Sequence, residues 1–250
     1  RVPVPAARLG RACLPLGRML WPSPVGPARG PLFWEFEMGT EAAAEDQAAI
    51  DCLRRSDRRL RPWIDAIGPI PLPRLTRFTT MEAVGRSIVF QQLHGKAAQT
   101  ILDRVLGVLG SRRLSASAIL AADPARLRAA GLSQSKLRAL LDLAEHVRRR
   151  QVPGAAELAT LDDAEVVRRL TVVRGVGPWT AEMLLMFRLG RQDVLPVSDY
   201  GIRAGAQVVH QLPELPKAEA LQALAEAWRP YRSLACLYLW RALERSRERA

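Results

Sequence analysis

The most informative part of the sequence is residues 170–181, which read Leu-Thr-Val-Val-Arg-Gly-Val-Gly-Pro-Trp-Thr-Ala. The pattern predicts that one helix ends near Leu170 and a second begins at Pro178, because proline suits a first helical turn, where its missing N–H has no partner. Gly175 and Gly177 let the backbone of the turn approach a ligand closely, and N–H groups at a helix start bind phosphate oxygens. Gly-Val-Gly alone is weak support, since a structural turn explains most such occurrences. A functional interpretation of this turn therefore depends on the residues around it.

A carboxylate follows this hairpin. Residues 193–205 read Asp-Val-Leu-Pro-Val-Ser-Asp-Tyr-Gly-Ile-Arg-Ala-Gly, which places Asp199 just before or at the start of the next helix. Aspartate is a favoured N-cap, so Asp199 by itself has a purely structural interpretation. The combination of a hairpin, a fixed spacing and a carboxylate indicates a catalytic group instead.

The rest of the chain has helical patterns and no convincing period-two alternation, which predicts an all-α fold. Residues 79–82, Thr-Thr-Met-Glu, have the spacing of a capping box. Asp123 and Pro124 form an N-cap followed by a first-turn proline. A short helix is predicted to begin at Asp162 or Asp163. Residues 179–189 are apolar on nearly every face, which predicts a buried helix.

Residues 1–38 differ from the remainder in composition, because they hold seven prolines and no acidic residue before Glu35. We expect this segment to be a disordered or non-native extension, with Met38 as the natural initiator. The folded domain is then residues 39–250, opening with a helix over Glu41–Arg55. An arginine-rich, acid-poor N-terminus also fits a transit peptide, although its prolines oppose the amphipathic helix that such peptides form.

Composition narrows the class of partner. The formal net charge is +12 in 250 residues, and 48% of the residues are hydrophobic, enough to bury a core. A folded chain this basic favours a polyanion, with nucleic acid first, an anionic membrane surface second and a general solubility charge as the ordinary alternative. No apolar run approaches the roughly 20 residues needed to span a bilayer. Three distant cysteines make neither a disulfide framework nor a zinc site, which fits a reducing compartment; they are Cys13, Cys52 and Cys236.

These features together resemble the helix-hairpin-helix (HhH-GPD) DNA glycosylase superfamily, whose signature is a hairpin, a Gly/Pro-rich loop and a catalytic aspartate. The similarity covers about residues 45–245. The interval of 20 residues from Trp179 to Asp199 matches the 3-methyladenine DNA glycosylase II (AlkA-type) branch. So do Val-Phe-Gln-Gln-Leu-His-Gly-Lys-Ala-Ala at 89–98 and Trp-Arg-Pro-Tyr-Arg-Ser-Leu-Ala-Cys-Leu-Tyr-Leu-Trp at 228–240. The resemblance implies two helical lobes with the active-site cleft between them and a helix-hairpin-helix over about residues 165–190.

The resemblance implies a monofunctional glycosylase of base excision repair that excises alkylated purines such as 3-methyladenine. Relatives that also cut the strand carry a lysine directly after the hairpin, because a Schiff-base lyase needs an amine. This chain has Trp179 there, and no lysine lies between Lys136 and Lys217. Relatives with an iron–sulfur cluster hold it through four clustered cysteines, whereas only Cys236 lies in the C-terminal part. We therefore expect no required cofactor and no iron–sulfur cluster.

The resemblance also assigns roles to residues. Asp199 stabilises the positive charge that develops on the deoxyribose as the glycosidic bond breaks. Aromatic rings hold the flipped base, and the candidates are Trp179, Tyr200 and Trp240. The residues assigned to DNA binding are Gly175, Gly177, Gln92, Leu93, Lys96 and Arg203. Of these, Gln92 and Leu93 form the wedge that fills the gap left in the duplex by the flipped base. The main-chain carbonyls of Thr171, Val173 and Val176 match a site for a monovalent cation, Na⁺ or K⁺. Each assignment has an ordinary alternative. The aromatic residues could be part of the core, Gln92 and Leu93 could simply end a helix, and Lys96 and Arg203 could be solvated surface charges.

The implied partner is double-stranded DNA with a damaged base, bound by a monomer and without a membrane. The implied location is the bacterial cytoplasm at the nucleoid, or the nucleus or an organelle in a eukaryote. One alternative is a non-catalytic helix-hairpin-helix DNA-binding protein, which would keep Gly175 and Gly177 but would not need Asp199. Another is a helical regulator whose basic charge serves an acidic protein.

Overall fold

The computed structural model describes residues 44–93 and 95–248, and the predicted extension over residues 1–38 lies outside them. Within these ranges the all-α prediction is confirmed, and the one extended pairing is an isolated bridge between Leu75 and Leu189. The helices are α1 (Ala44–Ser56), α2 (Arg61–Ile67), α3 (Thr80–Phe90), α4 (Gly95–Leu109), α5 (Ala116–Ala121), α6 (Pro124–Ala129), α7 (Gln134–Arg148), α8 (Ala155–Thr160), α9 (Asp163–Leu170), α10 (Pro178–Phe187), α11 (Tyr200–His210), α12 (Ala218–Ala225) and α13 (Arg232–Glu248), with a 3₁₀ turn at Glu226–Trp228. None of these helices is both long and apolar enough to cross a bilayer.

The helices form two lobes, as predicted. In the first lobe, α1 and α2 pack against α13, α11 lies along α13, and the 3₁₀ turn joins α1 to α12. In the second lobe, α7 packs against α3, α5 and α6, while α4 packs against α3 and α6. Helix α10 contacts both α9 and α3 and leads into α11. The connection from α10 to α11 therefore joins the lobes and positions the site described below.

Side-chain caps begin several helices where the sequence predicts them. Thr79 Oγ1 accepts the Glu82 N–H at 3.2 Å, but only this half of the capping box forms. The Glu82 carboxylate instead accepts the Leu114 N–H at 2.6 Å, because it holds the loop before α5 rather than its own helix start. Asp123 caps α6, and Asp162 rather than Asp163 caps α9.

Two glycines let α11 lie directly on α13. A Cβ atom at Gly205 would stand 2.3 Å from the carbonyl oxygen of Leu239, and one at Gly201 would stand 2.8 Å from the ring of Trp240. No side chain fits at either position without moving the helices apart. The close approach brings Trp240 of α13 beside the first turn of α11, which is where Asp199 lies.

The predicted buried helix is α10. Six of its ten residues are buried, and they lie on more than one face. A helix surrounded by core on most sides has little freedom to shift. It therefore gives a fixed base to the hairpin at its N-terminus and to the side chains that it presents to the cleft.

Candidate active site between the lobes

Asp199 is buried, with 1% of its surface exposed. It caps α11, because its Oδ1 accepts the Ile202 N–H at 2.7 Å. The same oxygen accepts the indole N–H of Trp240 at 3.1 Å, and Oδ2 accepts the indole N–H of Trp179 at 2.8 Å. The structural interpretation of Asp199 as a cap is thus correct, and the cap belongs to a larger hydrogen-bonded cluster.

All three of these donors are neutral. No ion pair to Asp199 is found within the described part of the chain. Hydrogen bonds to an ionised carboxylate stabilise it strongly without cancelling its charge. The carboxylate therefore keeps a net negative charge in a largely desolvated place, which suits it to stabilise a positive charge that develops nearby.

Two of the three predicted pocket aromatics, Trp179 and Trp240, donate to this carboxylate, and the third, Tyr200, follows it in the chain. Trp179 is in the first turn of α10 and Trp240 is on α13, and both indoles are partly buried against the core. Tyr200, the first residue of α11, is 48% exposed. Phe187 stacks on Trp240 with ring centroids 6.2 Å apart and planes at 22°. Phe187 extends the aromatic surface, and the sequence analysis did not identify it.

A small cavity opens between α3 and α10, on the boundary of the lobes. Its walls are Ala83, Arg86 and Ser87 of α3 and Met183, Leu184, Phe187 and Arg188 of α10. Trp179, Met183 and Phe187 follow one another at intervals of four, so they share one face of α10. That face runs from Asp199 to the cavity. The same spacing of four, counted forward from Trp179, was the signal in the sequence that could have found Phe187.

A second carboxylate lies near Asp199 on the same helix as Trp179. Burial raises the pKa of Glu182 to about 7, and the charge of Asp199 adds to the effect. Its Oε2 is buried and has no hydrogen-bond partner within the described residues. Glu182 therefore titrates close to neutral pH. The site places this carboxyl group near the Asp199 carboxylate, which accepts three hydrogen bonds.

The hairpin glycines differ in what requires them. Gly175 has a φ of +74°, a left-handed conformation that favours glycine. Gly177 has an ordinary φ of −97°, and a Cβ there would meet no atom within 4 Å. Gly177 begins α10 without a side-chain cap. The backbone conformation thus explains the glycine at position 175. Neither conformation nor crowding explains the glycine at position 177, where open space lies in front of the start of α10.

The sequence profile of the HhH-GPD superfamily of base excision DNA repair proteins matches residues 86–230, more than half of the chain. The chain belongs to that superfamily. This HhH-GPD protein is 35% identical to DNA-3-methyladenine glycosylase 1 of Schizosaccharomyces pombe over 161 residues, 64% of this chain and 71% of the relative. The family prediction is therefore confirmed.

Solved structures agree with the assignment. A DNA-3-methyladenine glycosidase from Bacillus halodurans is 33% identical, with a TM-score of 0.74 and coverage of 84% of this chain and 95% of that one. A 3-methyladenine DNA glycosylase of Schizosaccharomyces pombe in complex with abasic DNA is 32% identical, with a TM-score of 0.69 and coverage of 77% and 95%.

The other predicted DNA-binding residues of this HhH-GPD protein lie in different surroundings. Gln92 is exposed in the turn after α3, Leu93 beside it is half-buried, and Lys96 is exposed on α4. Arg203 is partly buried, and its Nε donates to the carbonyl oxygen of Pro216 at 2.7 Å. That bond gives Arg203 a role in holding the loop before α12, besides the predicted phosphate contact.

The hairpin carbonyls are the candidate ligands for a cation in this HhH-GPD protein. Thr171, Val173 and Val176 lie in the tight turn between α9 and α10, and the Val173 oxygen accepts the Val176 N–H at 3.1 Å. A carbonyl oxygen has a second lone pair, so this bond leaves it able to bind a cation. Across residues 44–93 and 95–248 there is no cluster of three or more His, Cys, Asp or Glu side chains suited to a metal.

Proposed function

We propose that this protein is a monofunctional DNA N-glycosylase of base excision repair. It flips out alkylated purines such as 3-methyladenine and hydrolyses the N-glycosidic bond without cutting the strand. The observation that carries the proposal is Asp199, a buried carboxylate held by three neutral donors at the aromatic boundary of two lobes. Two similar proteins, named DNA-3-methyladenine glycosylase 1 in Schizosaccharomyces pombe and DNA-3-methyladenine glycosidase in Bacillus halodurans, support the choice of lesion.

The chemistry follows from the charge of Asp199. As the bond between C1′ and the base breaks, the base leaves with the bonding electron pair and the deoxyribose becomes positively charged. Asp199 stabilises that charge through space, and its fixed position means that little reorganisation is needed. Water then forms the new bond to C1′ and releases a proton to a nearby base or to solvent. A cationic alkylpurine becomes neutral on leaving, so it needs no proton from an acid.

The aromatic surface holds the base. Trp179, Trp240 and Tyr200 offer electron-rich faces to a cationic purine, and each cation–π contact is worth about 0.5–2 kcal/mol. Tyr200 is unusually exposed for a large aromatic residue, which fits a ring that is covered only when the base arrives. The small cavity lined by Met183 and Phe187 lies on the same face of α10 as Trp179.

The hairpin binds the DNA backbone. The first N–H groups of a helix have no intrahelical partner, and Gly177 leaves space for a phosphate oxygen to approach them. Arg174, whose side chain is exposed on the same turn, adds positive charge that the sequence analysis did not assign. Gln92 and Leu93 fill the gap left by the flipped base. We propose that a monomer does this on duplex DNA, in whichever compartment holds that DNA.

A monovalent cation at the hairpin would strengthen binding of the DNA phosphate there. The carbonyl oxygens of Thr171, Val173 and Val176 would hold it, since hard cations prefer oxygen ligands. Such an ion supplies positive charge beside the phosphate and takes no part in bond cleavage. The affinity for abasic duplex DNA should then be higher in potassium chloride than in choline chloride at equal ionic strength.

The test of the function is release of free base from DNA treated with a methylating agent. We expect chromatography to show free 3-methyladenine, and gel analysis to show strands that stay intact until hot alkali cleaves the abasic sites. Binding should weaken steeply with salt, because several phosphates are contacted. A protein that binds the duplex but frees no base would instead be the non-catalytic DNA-binding alternative. Strand cleavage without alkali would contradict the monofunctional assignment.

A further inference from the structure

A glutamine side chain joins the wedge segment to the hairpin. Gln91 Nε2 donates to the main-chain carbonyl oxygen of Gly175 at 2.9 Å, although the two residues are 84 positions apart. Gln91 ends α3 and directly precedes Gln92. The carbonyl that it contacts belongs to the turn whose N–H groups face the proposed phosphate site. This one bond therefore connects the two elements that the proposed function assigns to the DNA backbone and to the gap.

The wedge turn needs support from its surroundings. Gln92 has a φ of +57°, which is left-handed, and a residue other than glycine in that region costs on the order of 1 kcal/mol. The turn closes through the Leu93 N–H, which bonds the Phe90 carbonyl at 3.2 Å. On its other side, Lys136 Nζ donates to the Val89 carbonyl at 2.7 Å. The strained turn is thus closed by a backbone hydrogen bond and held at its start by the Lys136 side chain.

Helix α7 supports both elements from a single face. Lys136, Ala139 and Asp142 are spaced three apart, so they line one side of the helix. Lys136 holds the end of α3, Ala139 packs beside Gly175, and the Asp142 carboxylate accepts the Arg174 N–H at 2.8 Å. The hairpin and the wedge therefore rest on the same face of α7, and the Gln91 side chain connects them directly to each other.

We propose that Gln91 is a positioning residue that couples phosphate binding at the hairpin to insertion of the wedge. The inference rests on the proposed function. A phosphate held at the start of α10 fixes the peptide of Gly175, and that peptide holds Gln91 and hence the Gln92–Leu93 turn at the gap. Positioning of this kind lowers the entropic cost of reaching the flipped state. It acts on flipping and leaves the charge of Asp199 unchanged.

The test measures flipping directly. The Asp199→Asn variant would be bound to a lesion duplex with 2-aminopurine next to the lesion, whose fluorescence rises when its neighbour leaves the stack. Adding Gln91→Met removes the donor while keeping a side chain of similar length. We expect the flipped-to-stacked ratio to fall about three- to tenfold, the effect of one hydrogen bond. Total affinity for undamaged duplex should change less than twofold. Gln134→Met, at the exposed first position of α7, is the matched control.

A second measurement uses the active enzyme. With Asp199 intact, Gln91→Met should slow single-turnover base release from the same duplex by the same factor, with the melting temperature equal to that of the control. Gln91→Asn, which keeps the amide but cannot reach Gly175, should behave like Gln91→Met. An unchanged flipped-to-stacked ratio, or equal losses in Gln134→Met, would overturn the coupling while base release by the wild type still supports the proposed function. If the wild type releases no base, the proposed function itself fails, and this inference fails with it.

Discussion

Two buried aspartates at opposite ends of α11 receive similar hydrogen bonds and have different partners. Asp199 precedes the helix, and Asp57 contacts His210, its last residue. Each aspartate accepts backbone N–H groups at the start of a turn or helix, and each accepts an indole N–H. Asp57, however, has His210 Nε2 at 3.3 Å from its Oδ2, whereas Asp199 accepts a second neutral indole.

The difference separates a structural carboxylate from a reactive one. Burial raises the pKa of Asp57, but the neighbouring His210 ring and the hydrogen bonds from the Trp228 indole and the Leu60 N–H together outweigh it and hold the pKa well below its ordinary value. Its charge is used within the fold, where it ties α11 and the 3₁₀ turn to the start of α2. The charge of Asp199 has no cationic partner among the described residues, so it remains available to a cationic sugar. Similar local chemistry thus serves two purposes according to the partner, which is a histidine for Asp57 and a second indole for Asp199.

The largest effect should come from Asp199→Asn. The amide removes the negative charge but keeps an oxygen that can cap α11. We expect single-turnover base release to fall by at least about 100- to 1000-fold, the usual effect of losing a preorganised electrostatic group. Affinity for an abasic duplex should stay within about threefold of the wild type, measured by fluorescence anisotropy. A variant that retains more than a tenth of the rate would contradict this role.

The matched change at the other end of α11 is Asp57→Asn. It removes the carboxylate beside His210 and leaves the Trp228 N–H without a full acceptor, so the free energy of unfolding should drop by about 1–3 kcal/mol. Because the folded pKa of Asp57 lies below its unfolded value, the stabilisation is present above the ordinary carboxyl pKa and is lost as pH falls through the folded pKa. Urea denaturation at pH 7 and pH 3 should show the difference between variant and wild type shrinking at the lower pH.

Each of the two aspartates can be deprived of one indole N–H donor. Trp240→Phe keeps a ring against Phe187 but loses one donor to Asp199, and a hydrogen bond to a charged group is worth about 1.5–3 kcal/mol. We expect base release to slow about tenfold or more. Trp228→Phe loses the donor to Asp57 and should lower thermal stability instead. Equal effects of both variants on the rate per folded molecule would contradict the division of roles.

The smallest effect concerns Glu182 and its raised pKa. Since the folded pKa is about 7 and the ordinary value is near 4.5, the neutral carboxyl group costs the fold little at low pH. Stability is lost as pH rises through about 7, when the buried group ionises beside Asp199. Glu182→Gln should therefore match the wild type near pH 4.5 and exceed its free energy of unfolding by about 1–3 kcal/mol above pH 8. A constant difference across this range would rule out the titration.

Much of the site could be predicted because its signals lie close together in the chain. The hairpin, Trp179 and Asp199 fall within one stretch, where helix starts and spacing determine the local geometry. Contacts between residues far apart in the chain carry no such local signal. Trp228 contacts Asp57 across 171 positions, and Gln91 contacts Gly175 across 84; no spacing rule indicates either pair.

Arg203 also has a contact that the sequence pattern does not indicate. Its place just after Asp199 makes it a natural candidate for a phosphate contact, and that contact stays a prediction. The bond from its Nε to Pro216 depends on how the loop after α11 folds back. The half-formed capping box at Glu82 has a similar cause. The Leu114 N–H is distant in the chain and lies outside the capping pattern, and it takes the Glu82 carboxylate as its acceptor.

The most direct test of the comparison measures both asparagine variants side by side, as single-turnover release of 3-methyladenine per folded molecule. Asp199→Asn should lose at least about 100-fold in rate with little change in stability. Asp57→Asn should keep the wild-type rate within about twofold while losing stability, since its charge is used only within the fold. A slow Asp57→Asn beside a fast Asp199→Asn would contradict the account, because the charge that drives base release would then lie at the wrong end of α11.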